Sequence, residues 1–403
     1  MADDGRQLAL TSDLKAMQTQ LETFESGSFE GFLRYLEEGH RHYHTAIEHL
    51  VNKDFRSAGE FFTPAHLPLL FSLKPLARHY DHVGDFFAEP RLRAAFTFQD
   101  VYMGLSPFEA PATFSMMPYT ELAHGVWYPR GGMYQVVRAL VELAHEAGVD
   151  IRYHADVATI DVNRKQVTGV TLTDGTRLTA DVILANADLP YVFDHLLPSN
   201  GHRSSMANKR FSCSAISFFW GVDRPVPELG AHTLFLADDY RENFISIDRD
   251  HGIPDNPSLY VHVPARLDPG MAPVGQETVT AIVPVGHMDP RHSQDWAAVR
   301  DLAREAVFRR LRTLGIDDLE GHIKFEVNYT PLSWKKRYNL MHGATHGLCH
   351  NLLQLGYMRP HNRHDHFRNL YFVGASTHPG TGLPTALVSA RLVSKRILDE
   401  HMS

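Results

Sequence analysis

The segment Asn369-Leu370-Tyr371-Phe372-Val373-Gly374-Ala375-Ser376-Thr377-His378-Pro379-Gly380-Thr381-Gly382-Leu383-Pro384 leaves the backbone few choices. Its apolar start favours a strand, its middle is glycine-rich, and Pro384 suits the first turn of a helix, so it reads as strand, glycine loop and helix. From there Leu383, Ala386, Leu387, Ala390, Val393 and Ile397 form one apolar stripe, which predicts a helix from Pro384 to His401 packed on a sheet. Glycines allow close approach to a ligand, and free amides at a helix start favour an anionic or carbonyl-rich one. A plain strand-to-helix connection satisfies the same pattern. Gly380-Thr381-Gly382 is not a dinucleotide fingerprint, because its glycines do not directly follow the strand and Thr385 stands where the third glycine belongs.

With 403 residues, 43% of them hydrophobic and 21% charged, the chain has enough apolar surface for two domains or one elaborate one. Its net charge of -8 is mixed along the sequence, so no basic face is offered to nucleic acid. Cys213 and Cys349 lie far apart, outside any C-x-x-C spacing, which points to a reducing compartment, the cytoplasm, and away from a disulfide framework or zinc. The start, MADDGRQLALTSDL, has neither a basic nor an apolar leader region, so no secretory signal is expected. No run reaches the ~18 apolar residues of a spanning helix. Leu67 to Leu76, flanked by His66, Lys74 and Arg78, suits either a bilayer surface or a core.

The spacing predicts a turn and strand over Asp3 to Leu10, a helix capped by Ser12 or Asp13 through Leu21, and helical residues from Phe29 to Val51 and on towards Phe98. Short strands are expected at Val149 to His154, Val157 to Asn163, Gln166 to Thr173 and Arg177 to Ala185, with a turn at Asp174-Gly175. Ser212 to Val285 reads as strand-rich, and Trp296 to Leu314 as a helix.

Several further segments carry a resemblance: Asp100 to Phe108, Tyr119 to Leu122, Gly125 to Met133, Asn186 to Leu189, Phe235 to Arg241, Tyr260 to Pro264, Val283 to His287 and Leu353 to Pro360. Over essentially its whole length the chain resembles the phytoene desaturases, in their bacterial and fungal branch, within the flavoproteins that include amine oxidases. The resemblance implies an α/β (α+β) fold of the FAD-dependent amine-oxidase type, with a Rossmann-type FAD domain and a substrate domain of mixed sheet and helices. It places the substrate domain at residues 1–125 and 205–345, and the FAD domain at 126–204 and 346–403. It also implies that the N-terminal strand, G-x-G-x-x-G turn and helix of such enzymes are absent, so that the FAD domain is truncated or completed by another segment.

FAD is the cofactor so implied. Carried over by motif, Gly374, Ala375, Gly380, Thr381, Gly382, Leu383 and Pro384 lie against it, Val157 touches its adenine, and Asn186 and Ala187 end a strand returning to it. Arg130, Gly131 and Gly132 form a turn similar to the one approaching the flavin ring, although Pro-Arg-Gly-Gly is a turn by its chemistry alone.

The activity implied is carotenoid desaturation, in which hydrogen leaves a long apolar polyene such as phytoene for the flavin, an electron sink that side chains cannot replace. A carotenoid isomerase or other polyene oxidoreductase of the same fold, and an inactive polyene-binding remnant, are the alternatives. Tyr102, Met103, Phe108, Tyr119, Trp127, Phe219 and Trp220 are candidate tunnel residues, with ordinary core packing as the competing role. Glu121 and Arg130 are the candidate catalytic polar groups. The partners expected are the polyene and, peripherally, a membrane surface. His342, His346 and His350 recur at i, i+4 and i+8, but Gly343 and Gly347 weaken a helix there and no carboxylate completes a ligand set, so no metal is expected. No G-x-S-x-G elbow is present, which argues against a hydrolase.

Overall fold

The computed structural model describes residues 5–198, 206–249, 252–291 and 293–401. The expected turn at Asp3-Asp4 and the expected boundary at 205 lie outside these residues. In chain order the elements used below are α1 (Leu14–Phe24), α2 (Ser28–Ala46), α3 (Leu67–Leu73) and α4 (Tyr134–Glu146), followed by β1 (Val157–Asn163), β2 (Gln166–Leu172), β3 (Arg177–Thr179) and β4 (Ile183–Ala185). Next come β5 (Ser214–Val222), β6 (His232–Phe235), β7 (Leu259–His262), β8 (Glu277–Val285), α5 (Trp296–Arg312), β9 (Ile323–Tyr329), β10 (Leu370–Phe372) and α6 (Leu383–His401).

Most local expectations hold, because short-range chemistry sets them. Asp13 caps α1, its carboxylate accepting from the amides of Lys15 and Ala16 at 2.9 and 3.1 Å. The Asp174-Gly175 turn joins β2 to β3, with Gly175 at φ 88. Two expected strands do not form: Leu8 to Leu10 and Val149 to His154 are irregular, and His154 takes φ 54. A strand is held by its ladder, and neither stretch belongs to one of the sheets among the described residues.

The chain gathers into two compact units. One contains His124–His154 and Ala215–Ser333; the other contains Thr11–Ala123, Ala155–Ser214 and Trp334–Ser403. This grouping differs from the division expected from sequence. Residues 11–123 join the glycine loop rather than 215–333, because ion pairs Arg56 to Asp399 at 2.9 Å and Arg396 to Asp54 at 3.3 Å, with Phe61 stacked on Tyr357, tie them to the C-terminal region.

The first unit is built on a five-stranded sheet in the order β6-β7-β8-β5-β9. Side chains alternate across a sheet. Ile216, Phe218, Trp220 and Val222 of β5, with Val261, Ala281 and Val283, form a core against Ala303, Val307, Phe308 and Leu311 of α5. Each large apolar side chain buried there contributes ~1.5–3 kcal/mol. The opposite face presents Phe219, paired across the strands with Val327, and both are exposed. In α4 the apolar residues Tyr134, Val137, Leu140 and Leu143 are also exposed.

The second unit holds the β1-β2-β3 meander, the parallel pair β4 and β10, and the helices α1, α2, α3 and α6. Its core includes Ile160, Val167, Leu189, Val192, Phe193, Leu370 and Phe372.

Candidate functional site

Parallel pairing of β4 with β10 matches Ile183 to Leu370, Leu184 to Tyr371 and Ala185 to Phe372. Both carboxyl ends therefore point the same way, and the Val373 amide extends the ladder to the Ala185 carbonyl at 3.1 Å. In open α/β sheets, ligands bind outside such carboxyl ends. Here Asn186, Ala187 and Asp188 follow β4, while Gly374 to Gly382 follow β10 and lead into α6.

Three glycines of the loop have positive φ: Gly374 at 116°, Gly380 at 141° and Gly382 at 112°. A Cβ on Gly374 would lie 2.9 Å from Asn186 Oδ1, and one on Gly380 would overlap His350 Nε2. Only glycine fits either position without a shift. The Thr381 amide donates to His350 Nε2 at 3.1 Å. Burial, helped by the nearby Arg359 charge, holds that imidazole well below its usual pKa, so it is neutral and accepts.

Behind the loop, Arg359 is 1% exposed. Its Nε donates to the Thr377 carbonyl at 2.9 Å, Nη1 to Cys349 and Gln354 at 3.2 and 3.0 Å, and Nη2 to Leu348 and Ala375 at 3.1 and 2.5 Å. Burial lowers its pKa to about 9, which leaves a cation at neutral pH. Asp188, half-buried, is the second ionisable group there. It accepts from Ser376 Oγ at 2.7 Å and from the Met341 amide at 3.1 Å, and burial raises its pKa against those two bonds. Asn362 Nδ2 donates to the carbonyls of Phe372 and His378 at 3.1 and 2.9 Å, closing the base of the loop.

In the other unit the Arg130 turn is formed as expected. Gly131 and Gly132 have φ 82 and 93, and the Gly132 amide donates to the Pro129 carbonyl at 3.0 Å. The Gly131 amide donates to Asp268 at 2.6 Å; this bond and the Gly270 amide hold the Asp268 carboxyl below its usual range. Arg130 itself is exposed.

The fold brings Gly374, Ala375, Gly380, Thr381, Gly382, Leu383 and Pro384 together with Asn186 and Ala187, and Val157 opens β1 in the same unit. Tyr102, Met103, Phe108, Tyr119 and Glu121 also belong to this unit. Met103 packs on the cluster of Leu105, Phe114 and Cys349; Phe108 is buried on Tyr80; Tyr119 OH lies 2.8 Å from His40 Nδ1. Glu121 accepts from Gln99 at 3.1 Å, and burial raises its pKa. Trp127 is exposed, its Nε1 donating to the His124 carbonyl at 3.0 Å.

Trp220 corrects an expectation. It is 0% exposed on the α5 side of its sheet, stacked on Phe308 at 5.1 Å, whereas Phe219 is 37% exposed on the other side. Adjacent strand residues point to opposite faces, so the two cannot share one apolar tunnel wall. His342, His346 and His350 share no helix face, since Met341–Gly343 is a single turn with His342 at φ 57. Sequence reasoning missed Arg359, His350, Ser376, Asn362 and Asp268 as supports of these loops. An arginine inside the apolar run Leu353 to Pro360 was a signal; Asp268 carried none.

The sequence profile of the flavin containing amine oxidoreductases matches residues 3–398. A phytoene desaturase of Fusarium fujikuroi is 40% identical over 98% of this chain and 73% of its own length. The chain belongs to the phytoene desaturase family. A zeta-carotene-forming phytoene desaturase of Myxococcus xanthus is 38% identical over 98% of the chain and 76% of its own length. The structure of a putrescine oxidase triple mutant shares the fold, with TM-score 0.58 at 13% identity, covering 93% of this chain and 76% of that one. As a member of this family the protein is an FAD-dependent oxidoreductase, and FAD is its cofactor. The glycine loop fits that group: its close-approach glycines admit no Cβ, a buried cation lies behind it, and a long helix begins at its end.

Proposed function

We propose that this chain is a carotenoid desaturase that introduces carbon-carbon double bonds into phytoene or a closely related polyene, in carotenoid biosynthesis. The observation carrying the reading is the glycine loop at the carboxyl ends of β4 and β10, in a chain whose phytoene desaturase relatives match it over 98% of its length. Bound there, FAD supplies the acceptor for the hydride equivalent that no side chain can take. The residues around it do the rest. Gly374, Ala375 and Gly380 to Pro384 hold and orient the cofactor, and Val157, Asn186 and Ala187 bound its site. In the other unit, Arg130, Gly131 and Gly132 form a preformed turn fixed by Asp268. Met103 and its sulfur-rich apolar surroundings bind hydrocarbon and exclude water; in the other unit, Phe219 on the open sheet face is a candidate hydrocarbon contact. Glu121, whose pKa is raised by burial, is the candidate acceptor for the proton lost from the neighbouring carbon.

The protein works in the cytoplasm at a membrane surface. Among the described residues no helix is long and apolar enough to cross a membrane. Phe62, Phe71 and Leu76 are strongly exposed around α3, and such side chains suit the headgroup boundary where the polyene dissolves. The side chains of Leu67 and Leu70 lie outside the described residues. A strand-glycine-helix segment, in the same polypeptide or another, completes the sheet of β4 and β10. A two-stranded parallel sheet with Leu184 43% exposed leaves edge and face uncovered, which parallel sheets rarely tolerate.

The test is an anaerobic titration of the purified protein with FAD, followed by phytoene in liposomes. Bleaching of the flavin with growth of a longer conjugated chromophore is expected. A rearranged polyene with no net flavin reduction would identify an isomerase, and no flavin uptake a polyene-binding remnant. Flotation with the liposomes tests the membrane surface; protein remaining at the bottom of the gradient removes it.

A further inference from the structure

Gln99 is 0% exposed and lies in the short 3-10 helix Phe98–Met103, between the buried residues Phe98 and Asp100. That helix is pinned from behind. Asp100 meets His79 Nδ1 at 2.8 Å, and His79 Nε2 lies 3.1 Å from Tyr35 OH on α2, all three fully buried. The Gln99 Nε2 donates to Glu121 Oε2 at 3.1 Å, which is the one hydrogen bond of that carboxylate among the described residues. Gln99 Oε1 is buried without a partner, so the side chain is committed to Glu121 alone. No lysine, arginine or histidine is within ion-pair distance of Glu121 among the described residues. The ionisable groups on the elements around it are Tyr35, Glu38 and His40 of α2, which meets the Glu121 helix Met116–His124 where Gly39 touches Tyr119; Asp100 beside Gln99; and Tyr119 and His124 on the helix itself. Asp100 is engaged by His79, Glu38 by His82 and Lys74, and His40 by the Tyr119 hydroxyl.

We propose that Gln99 is the positioning residue of the proton acceptor: one neutral N–H anchors Glu121 Oε2 and leaves Oε1, which makes no hydrogen bond among the described residues, as the oxygen that takes the proton. This inference rests on the reading of Glu121 given above. In that step the electron pair of the broken C–H bond enters the new double bond, its proton goes to Oε1, and the hydride equivalent of the adjacent carbon leaves to the flavin. The acid so formed returns its proton to water before the next round. A neutral donor suits the task. Arginine or lysine in its place would hold the carboxylate ionised and make it a poor base, and with no donor at all burial would keep it protonated. Burial raises the Glu121 pKa, and the Gln99 bond is what opposes it.

Infrared titration of the protein without FAD tests the pair directly. The protonated-carboxyl band that vanishes in Glu121→Gln reports this residue. In Gln99→Leu and Gln99→Met its midpoint should move up by about one to two pH units, the effect of losing a hydrogen bond to a charged group. In desaturation assays of the FAD-loaded protein the acid limb of kcat/KM should move by the same amount, and kcat should fall about tenfold or more with KM for the polyene nearly unchanged. A merely structural role would lower the folded fraction and leave the midpoint where it is. If neither variant folds, the wild type decides: the Gln99 side-chain amide resonances should titrate with the midpoint of the Glu121 band and stay constant in Glu121→Gln. An unmoved midpoint in the variants, or amide resonances indifferent to that titration, would overturn the role of Gln99 and leave the reading of Glu121 intact. Full desaturase activity of Glu121→Gln with an unchanged pH profile would sink the acceptor reading and this inference with it.

Discussion

Ser376 Oγ donates to Asp188 Oδ1 at 2.7 Å, joining the residue that ends the β4 strand segment to the glycine loop after β10 across 188 positions of sequence. The same hydroxyl accepts from the Leu348 amide at 3.3 Å. One small buried side chain thus ties three stretches around the cofactor loop, and the half-buried Asp188 carboxylate has a partner on each oxygen.

Removing that hydroxyl should therefore cost more than a surface serine would. Ser376→Ala is expected to lower stability by about 1–3 kcal/mol, the usual penalty for a buried polar group that loses its partner. Asp188→Asn, which keeps the shape and removes the charge, should be milder. Thermal melts of the two variants without FAD check the order; equal melting temperatures for wild type and Ser376→Ala would contradict it.

Gly380→Ala should damage cofactor binding more than folding in the second unit as a whole. The added Cβ would overlap His350 Nε2 at a φ of 141°, so the loop must shift from its close-approach geometry. A loss of FAD affinity of at least about tenfold is expected, by fluorescence titration, for a backbone displacement that breaks one charge-assisted hydrogen bond.

The neighbours Phe219 and Trp220 should separate substrate use from stability. Trp220→Ala empties a core position under α5 and removes the bond from Nε1 to Glu326 at 2.8 Å, for a cost of ~3–5 kcal/mol. Phe219→Ala, on the open face, should leave the melting temperature nearly unchanged and raise KM for the polyene. Desaturation assays in lipid beside thermal melts distinguish the two; a destabilisation by Phe219→Ala as large as that by Trp220→Ala would refute the facing assigned here.

Acid should weaken the contact between α2 and α3. Burial pushes the Glu38 carboxyl up, but hydrogen bonds from His82 and from Lys74 Nζ, the latter at 2.6 Å, outweigh it and hold Glu38 at about 2 against an ordinary 4.5. A depressed carboxyl pKa contributes stability that is complete above the unfolded value and lost as pH falls through the folded one. The deficit of Glu38→Gln against wild type should thus be full at pH 6, shrink below about pH 4.5 and vanish near pH 2, as read from denaturant melts across that range. A deficit independent of pH would exclude the charge as its source.

The sequence by itself determined what depends on neighbours along the chain. The helix caps, the Asp174-Gly175 turn, the strand, glycine loop and helix of 369–401, and the Pro129 to Gly132 turn are local, so their residues declare them. The family motifs added the cofactor and the class of reaction. Tertiary structure alone decided what depends on distant partners. Val149 to His154 has the composition of a strand, yet it forms none, because a strand exists only with a neighbour to bond. Phe219 and Trp220 read alike in sequence, and only the position of α5 tells which one is core. Arg359 is one arginine among many until the fold wraps five carbonyls around it. Burial and long-range hydrogen bonding are properties of the closed chain, and they give the cofactor loop its shape.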